Sequence, residues 1–150
     1  MPRGTRRLPR KCVRLLGESD LILHAGDFVS FAVYEELGAL APIEAVAGNM
    51  DDPDLLAILP DRRVVEIEGV RIGMVHVAGP RVGRAQRLVA AFPDCAAVVY
   101  GHTHVPEATQ LGETWILNPG SPTERRSAPS HAMIVLEVEG GVLDVRTHVL

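Results

Sequence analysis

This sequence has little cysteine, no long apolar run and no excess of positive charge. Its two cysteines, Cys12 and Cys95, lie inside apolar patterns, so we expect reduced core thiols rather than a disulfide or a nucleophile. No apolar run approaches the ~18 residues that a membrane span needs, and the start of the chain lacks the apolar core of a signal peptide. A cytoplasmic protein without a membrane partner is therefore expected.

The charge balance and the length set further limits. A formal net charge of -4 argues against a general nucleic-acid binder. A chain of 150 residues, 47% of them hydrophobic, is long enough for one sizeable core and too short for a second. We therefore expect a single domain over residues 1–150, and no pattern in the sequence specifies an oligomeric state.

Four apolar segments each end in a side chain of a metal-binding type. Asp27 follows the first segment and Asn49 the second, His76 ends the third, and His102 and His104 follow the fourth. In an extended chain, residues two apart point to the same side, so the last two imidazoles can face one pocket. Because open α/β sheets collect their sites outside the carboxyl ends of strands, the four strand ends predict one shared pocket.

Imidazole and carboxylate ligands without cysteine indicate the kind of metal. Such a mixed nitrogen and oxygen set suits zinc, iron, manganese or nickel, and it argues against a thiolate site. Asp27 is the preferred ligand, since a carboxylate can bridge two cations. The alternative reading is that it caps the helix that follows.

The remaining pattern predicts the elements around this pocket. A helix over residues 31–40 connects the first two strands by a right-handed crossover that makes them parallel. Pro80 is predicted to open a helix with one apolar face, formed by Val82, Ala85, Leu88, Val89 and Phe92. Residues 106–117 and 131–149 predict two hairpins. Asp52, ahead of a proline, is expected to cap a short helix.

Five pieces of the sequence, in their order and spacing, resemble the calcineurin-like metallophosphoesterases, specifically the small prokaryotic phosphodiesterase group. They are Leu23 to Asp27, Gly48 to Asp51, His76, Gly101 to His104, and Asn118 to Pro122. The resemblance implies an α/β fold: a four-layer α-β-β-α sandwich of two mixed β-sheets flanked by helices, here lacking the first strand.

The resemblance also implies a ligand set and a mechanism. One divalent ion is expected on Asp27, Asn49, His76 and His102, and a second on Asp27 and His104 together with an Asp-x-His motif from the family's first strand. Two such ions, which manganese, iron, zinc or nickel can provide, would activate a bridging water for phosphodiester hydrolysis. The catalytic group would then be that water, and the partner a small phosphoester substrate.

The Asp-x-His motif has no counterpart in the sequence. Met1 to Gly4 resembles the loop that follows it in this group, so the chain looks as if it begins one strand late. Two explanations stand: a start codon assigned downstream of the true one, or a shortened protein that holds one ion. The first is preferred, because the missing strand would be central and its loss would leave ladder groups unpaired.

Several further residues are expected to support the ligands or to bind substrate. His24 and Asp51 are expected to support the ligands by hydrogen bonding and by orienting the loop. Arg125 and Arg126, alongside Asn49, are weaker candidates for substrate binding. Many family members carry a histidine where Met50 stands, and Met50 cannot protonate a leaving group. A preference for esters with good leaving groups is therefore expected, or an acid supplied by solvent.

The expected activity is that of a metal-dependent phosphodiesterase or phosphatase, weak or absent in this chain if its site is incomplete. The rival interpretation is a non-catalytic interaction module, because the same fold serves as a scaffold in the retromer complex. Five retained ligand types argue against a pure scaffold. A third possibility is a protein that binds one metal ion without turnover.

Overall fold

The computed structural model describes residues 7–150, which form four helices and nine strands. The helices are α1 Arg10–Gly17, α2 Phe31–Gly38, α3 Pro53–Ile58 and α4 Arg84–Ala91. The strands are β1 Ile22–His24, β2 Ile43–Ala45, β3 Arg62–Ile67, β4 Val70–Val75, β5 Ala97–Tyr100, β6 Glu107–Leu111, β7 Thr114–Asn118, β8 Ala132–Glu139 and β9 Val142–Val149. The loop resemblance at residues 1–4 lies outside the described residues.

A central mixed sheet has the strand order β3-β4-β5-β7-β6, and two separate two-stranded sheets accompany it. The pair β1-β2 is parallel, as expected for strands joined by a helical crossover. The pair β8-β9 is an antiparallel hairpin. The mixed α/β architecture is confirmed, but the expected second sheet is divided into these two pairs among the described residues.

Three hydrophobic clusters lie between four successive layers. The first places α1 and α2 on the outer side of β1-β2, with Phe28 and Leu37 at its centre. The second lies between the two-stranded sheets and the central sheet, around Ile72 and Met74. The third packs α4 against the far face of the central sheet through Leu88. These clusters confirm the α-β-β-α order of layers.

The parallel pairs bring four strand ends to one edge of the sandwich. β1 pairs in register with β2, and β4 pairs in parallel with β5. The ligand candidates follow these strands: Asp27 and Asn49 on one sheet, and His76 and His102 on the other. The sheet topology therefore places both halves of the predicted pocket at the same edge.

The helix predicted from Pro80 begins four residues later than expected. α4 begins at Arg84, and Val82 is 88% exposed, so it does not belong to the apolar face that we assigned to it. The preceding loop is held in an irregular path by arginine side chains: Arg84 Nη2 donates to Gly79 O at 3.2 Å, and Arg87 Nη1 donates to Val82 O at 2.8 Å. Gly83, immediately before α4, has a left-handed backbone with φ of 68°, so the helix does not extend further toward Pro80.

Asp52 confirms the predicted cap and also serves a second helix. Its Oδ1 accepts a hydrogen bond from Leu55 N at 3.0 Å at the start of α3. Its Oδ2 accepts from Phe31 N at 2.9 Å, the first amide of α2. One carboxylate therefore satisfies a donor at the beginning of both α2 and α3, the helices that follow the loops of Asp27 and Asn49.

The cysteine prediction is confirmed, since Cys12 and Cys95 are free and buried. Burial raises the pKa of the Cys12 thiol to about 11, and burial likewise raises the pKa of Cys95. Both groups are therefore held as neutral thiols near pH 7. Within the described part of the chain, no helix is both long and apolar enough to cross a bilayer.

Candidate metal centre

Two glycines allow the ligand loops to approach each other closely. A Cβ on Gly48 would lie 2.0 Å from Asp27 N and 2.4 Å from Asp27 Oδ1. A Cβ on Gly101 would lie 2.6 Å from Ala25 O. Because real Cβ atoms do not make such contacts, only glycine permits this arrangement. The loops after β1, β2 and β5 therefore meet through their backbones.

Four of the five predicted ligands converge where these loops meet. One ligand atom each from Asp27, His76 and His102 lies within 4.8 Å of the others. Asn49 Oδ1 lies 2.9 Å from His76 Nε2 and 2.9 Å from His102 Nδ1. His104 lines the same cavity but is not part of this group.

The chemistry of these atoms fits a cation. His76 Nδ1 lies 2.6 Å from Ala25 O, a contact that requires a proton on Nδ1. In a neutral His76 ring, Nε2 then carries a lone pair, and it faces Asn49 Oδ1 at 2.9 Å and Asp27 Oδ1 at 3.4 Å. Lone pairs directed at one another need a shared proton or a metal ion. This donor set matches the nitrogen and oxygen ligands that transition metals take.

Three of the candidate ligand residues have left-handed backbone conformations. The φ angles are 65° at Asp27, 65° at His102 and 60° at His104. Such angles are uncommon outside glycine, although aspartate and histidine tolerate them better than most residues. Non-glycine residues in this region cluster at functional sites, so the observation supports a functional role for these loops.

Electrostatics keep the Asp27 carboxylate ionised. Burial acts to raise its pKa, but hydrogen bonds from His76 and from Met50 N outweigh burial and lower the pKa to about 2. Burial acts to lower the pKa of His76, and its contacts with the Asp27 carboxylate and the Ala25 carbonyl outweigh that effect, so this pKa is raised. An anionic carboxylate next to imidazoles is the charge arrangement that a divalent cation site needs.

His104 lies in a different environment at the edge of the cavity. Its Nδ1 contacts the carbonyl of Glu124, so Nδ1 carries the proton. In the neutral ring, Nε2 is then the nitrogen with a lone pair. Burial and the nearby positive charge of Arg126 lower the pKa of His104. The imidazole is therefore favoured in the neutral form, the form that can bind a metal.

Two buried polar side chains hold the ligand loops in place. Asp51 is 8% exposed, and its carboxylate accepts from Val29 N at 2.8 Å and from Gly48 N at 2.7 Å. It therefore joins the loop after β1 to the loop after β2, which is the orienting role expected from the sequence. Asn118 is fully buried, and its Nδ2 donates to Gly101 O at 3.1 Å and to Thr103 Oγ1 at 3.0 Å.

Sequence reasoning did not assign roles to Asn118 or to the carbonyl of Ala25. Asn118 is the last residue of β7, which pairs with β5. A polar residue at the end of another strand is the same pattern that pointed to the candidate ligands, and it could have indicated a role for Asn118. The Ala25 carbonyl fixes the proton position on His76, but a backbone atom leaves no signal in a residue pattern. Its part in the site became visible only with the fold.

Of the other residues that were predicted to support the site, Arg126 donates a hydrogen bond to a candidate ligand residue, and His24 and Arg125 make contacts of other kinds. The His24 ring stacks on Phe28 with centroids 3.6 Å apart, and its Nδ1 is buried without a hydrogen-bond partner among the described residues. His24 therefore packs against Phe28, whereas we expected it to form a hydrogen bond that supports the ligands. Arg126 Nη1 donates to His102 O at 3.0 Å, whereas Arg125 Nη1 donates to Pro129 O at 2.9 Å within its own loop.

Comparison with known proteins identifies the family. The sequence profile of the calcineurin-like phosphoesterase superfamily domain matches residues 4–141. A probable metallophosphoesterase of Methanothermobacter thermautotrophicus is 36% identical over 146 residues, which are 96% of this chain and 84% of the relative. The chain belongs to the calcineurin-like phosphoesterase superfamily.

Solved structures agree with this assignment. An archaeal phosphodiesterase is 25% identical with a TM-score of 0.72, covering 94% of this chain and 90% of the other. Vps29 of Entamoeba histolytica, solved in complex with zinc, is 23% identical with a TM-score of 0.78, covering 100% of this chain and 93% of the other. The second likeness concerns the fold alone.

The Asp51 bridge can be tested by substitution. Asp51→Asn removes one of two acceptors and turns an amide donor toward a backbone N–H, so the two ligand loops should separate. Manganese affinity measured by calorimetric titration should fall about 10- to 100-fold, the range found for residues that support metal ligands. Asp54→Asn, on the exposed first turn of α3, is the matched control. Equal affinities for the two variants would contradict the bridging role.

Proposed function

We propose that this protein hydrolyses small phosphoesters, with phosphodiesters as the preferred class, using divalent transition metal ions held at the pocket. The observation that carries this proposal is the convergence of ligand atoms from Asp27, His76 and His102 within 4.8 Å of one another, with Asn49 Oδ1 in contact with both imidazoles. Membership of a metal-dependent phosphoesterase family supports the same reaction. The similarity to an archaeal phosphodiesterase favours the diester class.

The chain's own residues divide into ligands and a substrate contact. Asp27, Asn49, His76 and His102 would hold one divalent ion, and Asp27 with His104 would contribute to a second. When bound, such ions lower the pKa of coordinated water toward ~7 and balance the charge that develops on the phosphoryl oxygens. Manganese, iron, zinc and nickel all suit this donor set.

Arg126 is the better placed of the two candidate arginines for substrate. Its guanidinium is anchored to His102 O at 3.0 Å, and its charge is close enough to His104 to lower the pKa of that ring. Its free N–H groups can donate to a phosphate oxygen beside the ligand loop. Arg125 is bonded to the carbonyl of Pro129, away from the ligand loop.

No imidazole occupies the position of Met50. This residue is 40% exposed beside the site, and its backbone N donates to Asp27 Oδ1 at 2.9 Å. A thioether cannot protonate a leaving oxygen. Esters whose leaving groups depart as stable anions should therefore react best, with the proton for poorer ones supplied by solvent.

The central test is hydrolysis of bis(p-nitrophenyl) phosphate after loading with each of the four metals in turn. Asp27→Asn should lower kcat/KM by about 100-fold or more, because it removes the anionic ligand on which metal binding depends. Asparagine tolerates the left-handed backbone at this position. His148→Gln, on β9, is the control and should retain the full rate.

Metal content measured by elemental analysis separates the two ways in which this test can fail. Stoichiometric metal with no turnover for all four ions would overturn the hydrolase proposal and leave a metal-binding or scaffold protein. Absence of bound metal at saturating concentrations would overturn the ligand assignment itself. Turnover that Asp27→Asn leaves unchanged would place the reaction elsewhere.

The two arginines provide a matched pair for substrate binding. Arg126→Ala should raise KM for bis(p-nitrophenyl) phosphate about 10-fold, because a charge-assisted hydrogen bond is worth roughly 1.5–3 kcal/mol. Arg125→Ala removes the same charge one residue away and should change KM less than twofold. Steady-state kinetics on the metal-loaded enzyme give both values, and equal effects would exclude a specific role for Arg126.

Met50→His tests the leaving-group preference. A histidine at this position supplies a general acid, a contribution typically worth 10²–10⁴-fold. The rate on a phenyl phosphodiester should rise at least 10-fold relative to the p-nitrophenyl ester, and the pH–rate profile should gain a limb at higher pH. Met50→Gln, polar without a titrating group, should do neither. A wild-type profile that already shows an essential acid near neutrality would contradict the expectation.

A further inference from the structure

A cleft of about 360 Å³ adjoins the candidate metal centre. Its walls come from the loop after β2, from α3, from the residue before β3 and from the end of β4. Two of the lining residues, Asn49 and His76, also belong to the metal centre, where Asn49 Oδ1 lies 2.9 Å from His76 Nε2. A group bound in this cleft would therefore be continuous with a group bound at the metal centre, and the volume lies within the range of small-molecule sites.

Most of the remaining lining of the cleft is apolar. Leu56, on α3, is 50% exposed, and Val77, next to His76, is 52% exposed. Ala47 and Val75 extend the apolar lining. Large apolar side chains scattered singly over a surface are ordinary, but two that line one cleft next to a polar site mark a place for an apolar ligand group.

Hydrogen bonds and core packing fix the walls of the cleft. Ala47 N donates to Pro60 O at 2.9 Å, which joins the loop after β2 to the segment after α3. Leu55 is fully buried and anchors α3 in the core, so the next side chain along the helix, that of Leu56, is left at the surface beside the cleft. The cleft is therefore formed before a ligand binds, which lowers the entropic cost of binding.

The charged groups of the cleft disfavour an anionic occupant. No lysine or arginine among residues 7–150 lines it, and Asp61 contributes a carboxylate. An anionic group in the cleft would be repelled by that carboxylate and would find no cationic side chain to balance its charge. The phosphoryl group of a substrate therefore belongs at the metal centre, and an uncharged part of the same molecule belongs in the cleft.

An aromatic ring system is the apolar group that suits both the cleft and the chemistry. It presents a large apolar area with few rotatable bonds, so little conformational freedom is lost when it binds. A phenol, with a pKa of about 10 like that of a tyrosine side chain, also leaves as an anion more readily than an aliphatic alcohol. This property matters here because Met50 cannot protonate a leaving oxygen.

We propose that this cleft is the subsite for an uncharged aromatic ester group of the phosphoester substrate. The inference rests on the proposed hydrolysis and narrows its substrate class to phosphodiesters with at least one aryl or heteroaryl group that carries no negative charge. Leu56 and Val77 contact the ring, and Asn49 and His76 lie at the junction with the phosphoryl group. The Asp61 carboxylate disfavours rings with anionic substituents.

The test uses phosphonates, which carry one organic group on a carbon–phosphorus bond that does not hydrolyse. Phenylphosphonate, methylphosphonate and 3-carboxyphenylphosphonate are titrated into the zinc-loaded protein by calorimetry, at a pH where all three phosphonate groups are dianions. Phenylphosphonate should bind about 10-fold more tightly than methylphosphonate, because its ring buries apolar surface in the cleft. 3-Carboxyphenylphosphonate should bind about 3-fold more weakly than phenylphosphonate, a modest factor because the Asp61 carboxylate is exposed to solvent.

Substitutions separate the cleft from the metal centre. Leu56→Ala and Val77→Ala should each lower the preference for phenylphosphonate over methylphosphonate about 3-fold, because each removes apolar surface that contacts the ring. Ile58→Ala and Val82→Ala are the matched controls, since both residues are exposed and neither lines the cleft. Asp61→Asn should bring 3-carboxyphenylphosphonate close to the affinity of phenylphosphonate. Methylphosphonate should bind all five variants equally.

Methyl NMR of the zinc-loaded protein locates the ring. Ring currents from bound phenylphosphonate should shift the methyl resonances of Leu56 and Val77, and methylphosphonate should leave them unchanged. The methyl resonances of Ile58 and Val82 should not respond to either ligand and form an internal control. This readout depends on neither turnover nor the metal that supports it.

The outcomes distinguish this proposal from the proposed hydrolysis. Equal affinities for phenylphosphonate and methylphosphonate would overturn the subsite and leave the hydrolysis intact. A phenyl preference that survives both Leu56→Ala and Val77→Ala would place the ring outside the cleft. No binding of any phosphonate to protein with stoichiometric zinc would overturn both proposals. Selective binding of phenylphosphonate without hydrolysis of bis(p-nitrophenyl) phosphate would overturn the hydrolysis alone and support the cleft as a site for aryl groups.

Discussion

The backbone approach of Gly48 to Asp27 sets the positions of the candidate ligand atoms. No side chain fits between these loops, because a Cβ at residue 48 would lie 2.0 Å from the Asp27 amide. The contact brings Met50 N within 2.9 Å of the Asp27 carboxylate and lets Asp51 accept from both loops. The site is therefore built by main-chain contacts between two parallel strands, and the side chains follow from them.

Much of the site could be predicted because strand topology converts sequence order into proximity. Asp27, Asn49, His76 and His102 each follow a strand in a parallel pair, so a correct strand assignment was enough to bring them together. The cap at Asp52 could also be predicted, since it depends only on a helix that begins at the next residue. Features that depend on neighbours in sequence or on strand direction could thus be predicted from the sequence.

What could not be predicted depends on contacts between distant or backbone atoms. Val82 fits a helical period but lies in a loop that guanidinium groups hold by hydrogen bonds to carbonyls. His24 occupies a place where a ring stack with Phe28 replaces the expected hydrogen bond. The division of the second sheet into β1-β2 and β8-β9 concerns an interface between distant segments, which periodicity does not encode.

The double cap at Asp52 has a mechanical consequence for the pocket. Its two oxygens join Phe31 N at the start of α2 to Leu55 N at the start of α3. Each helix follows one of the loops that carry Asp27 and Asn49. If the start of either helix opens, the Asp52 carboxylate that caps both helices loses one of its two hydrogen bonds. Local opening at this edge should therefore involve both helices as a single cooperative unit. Thermal motion would then shift these two ligands together while largely preserving their separation.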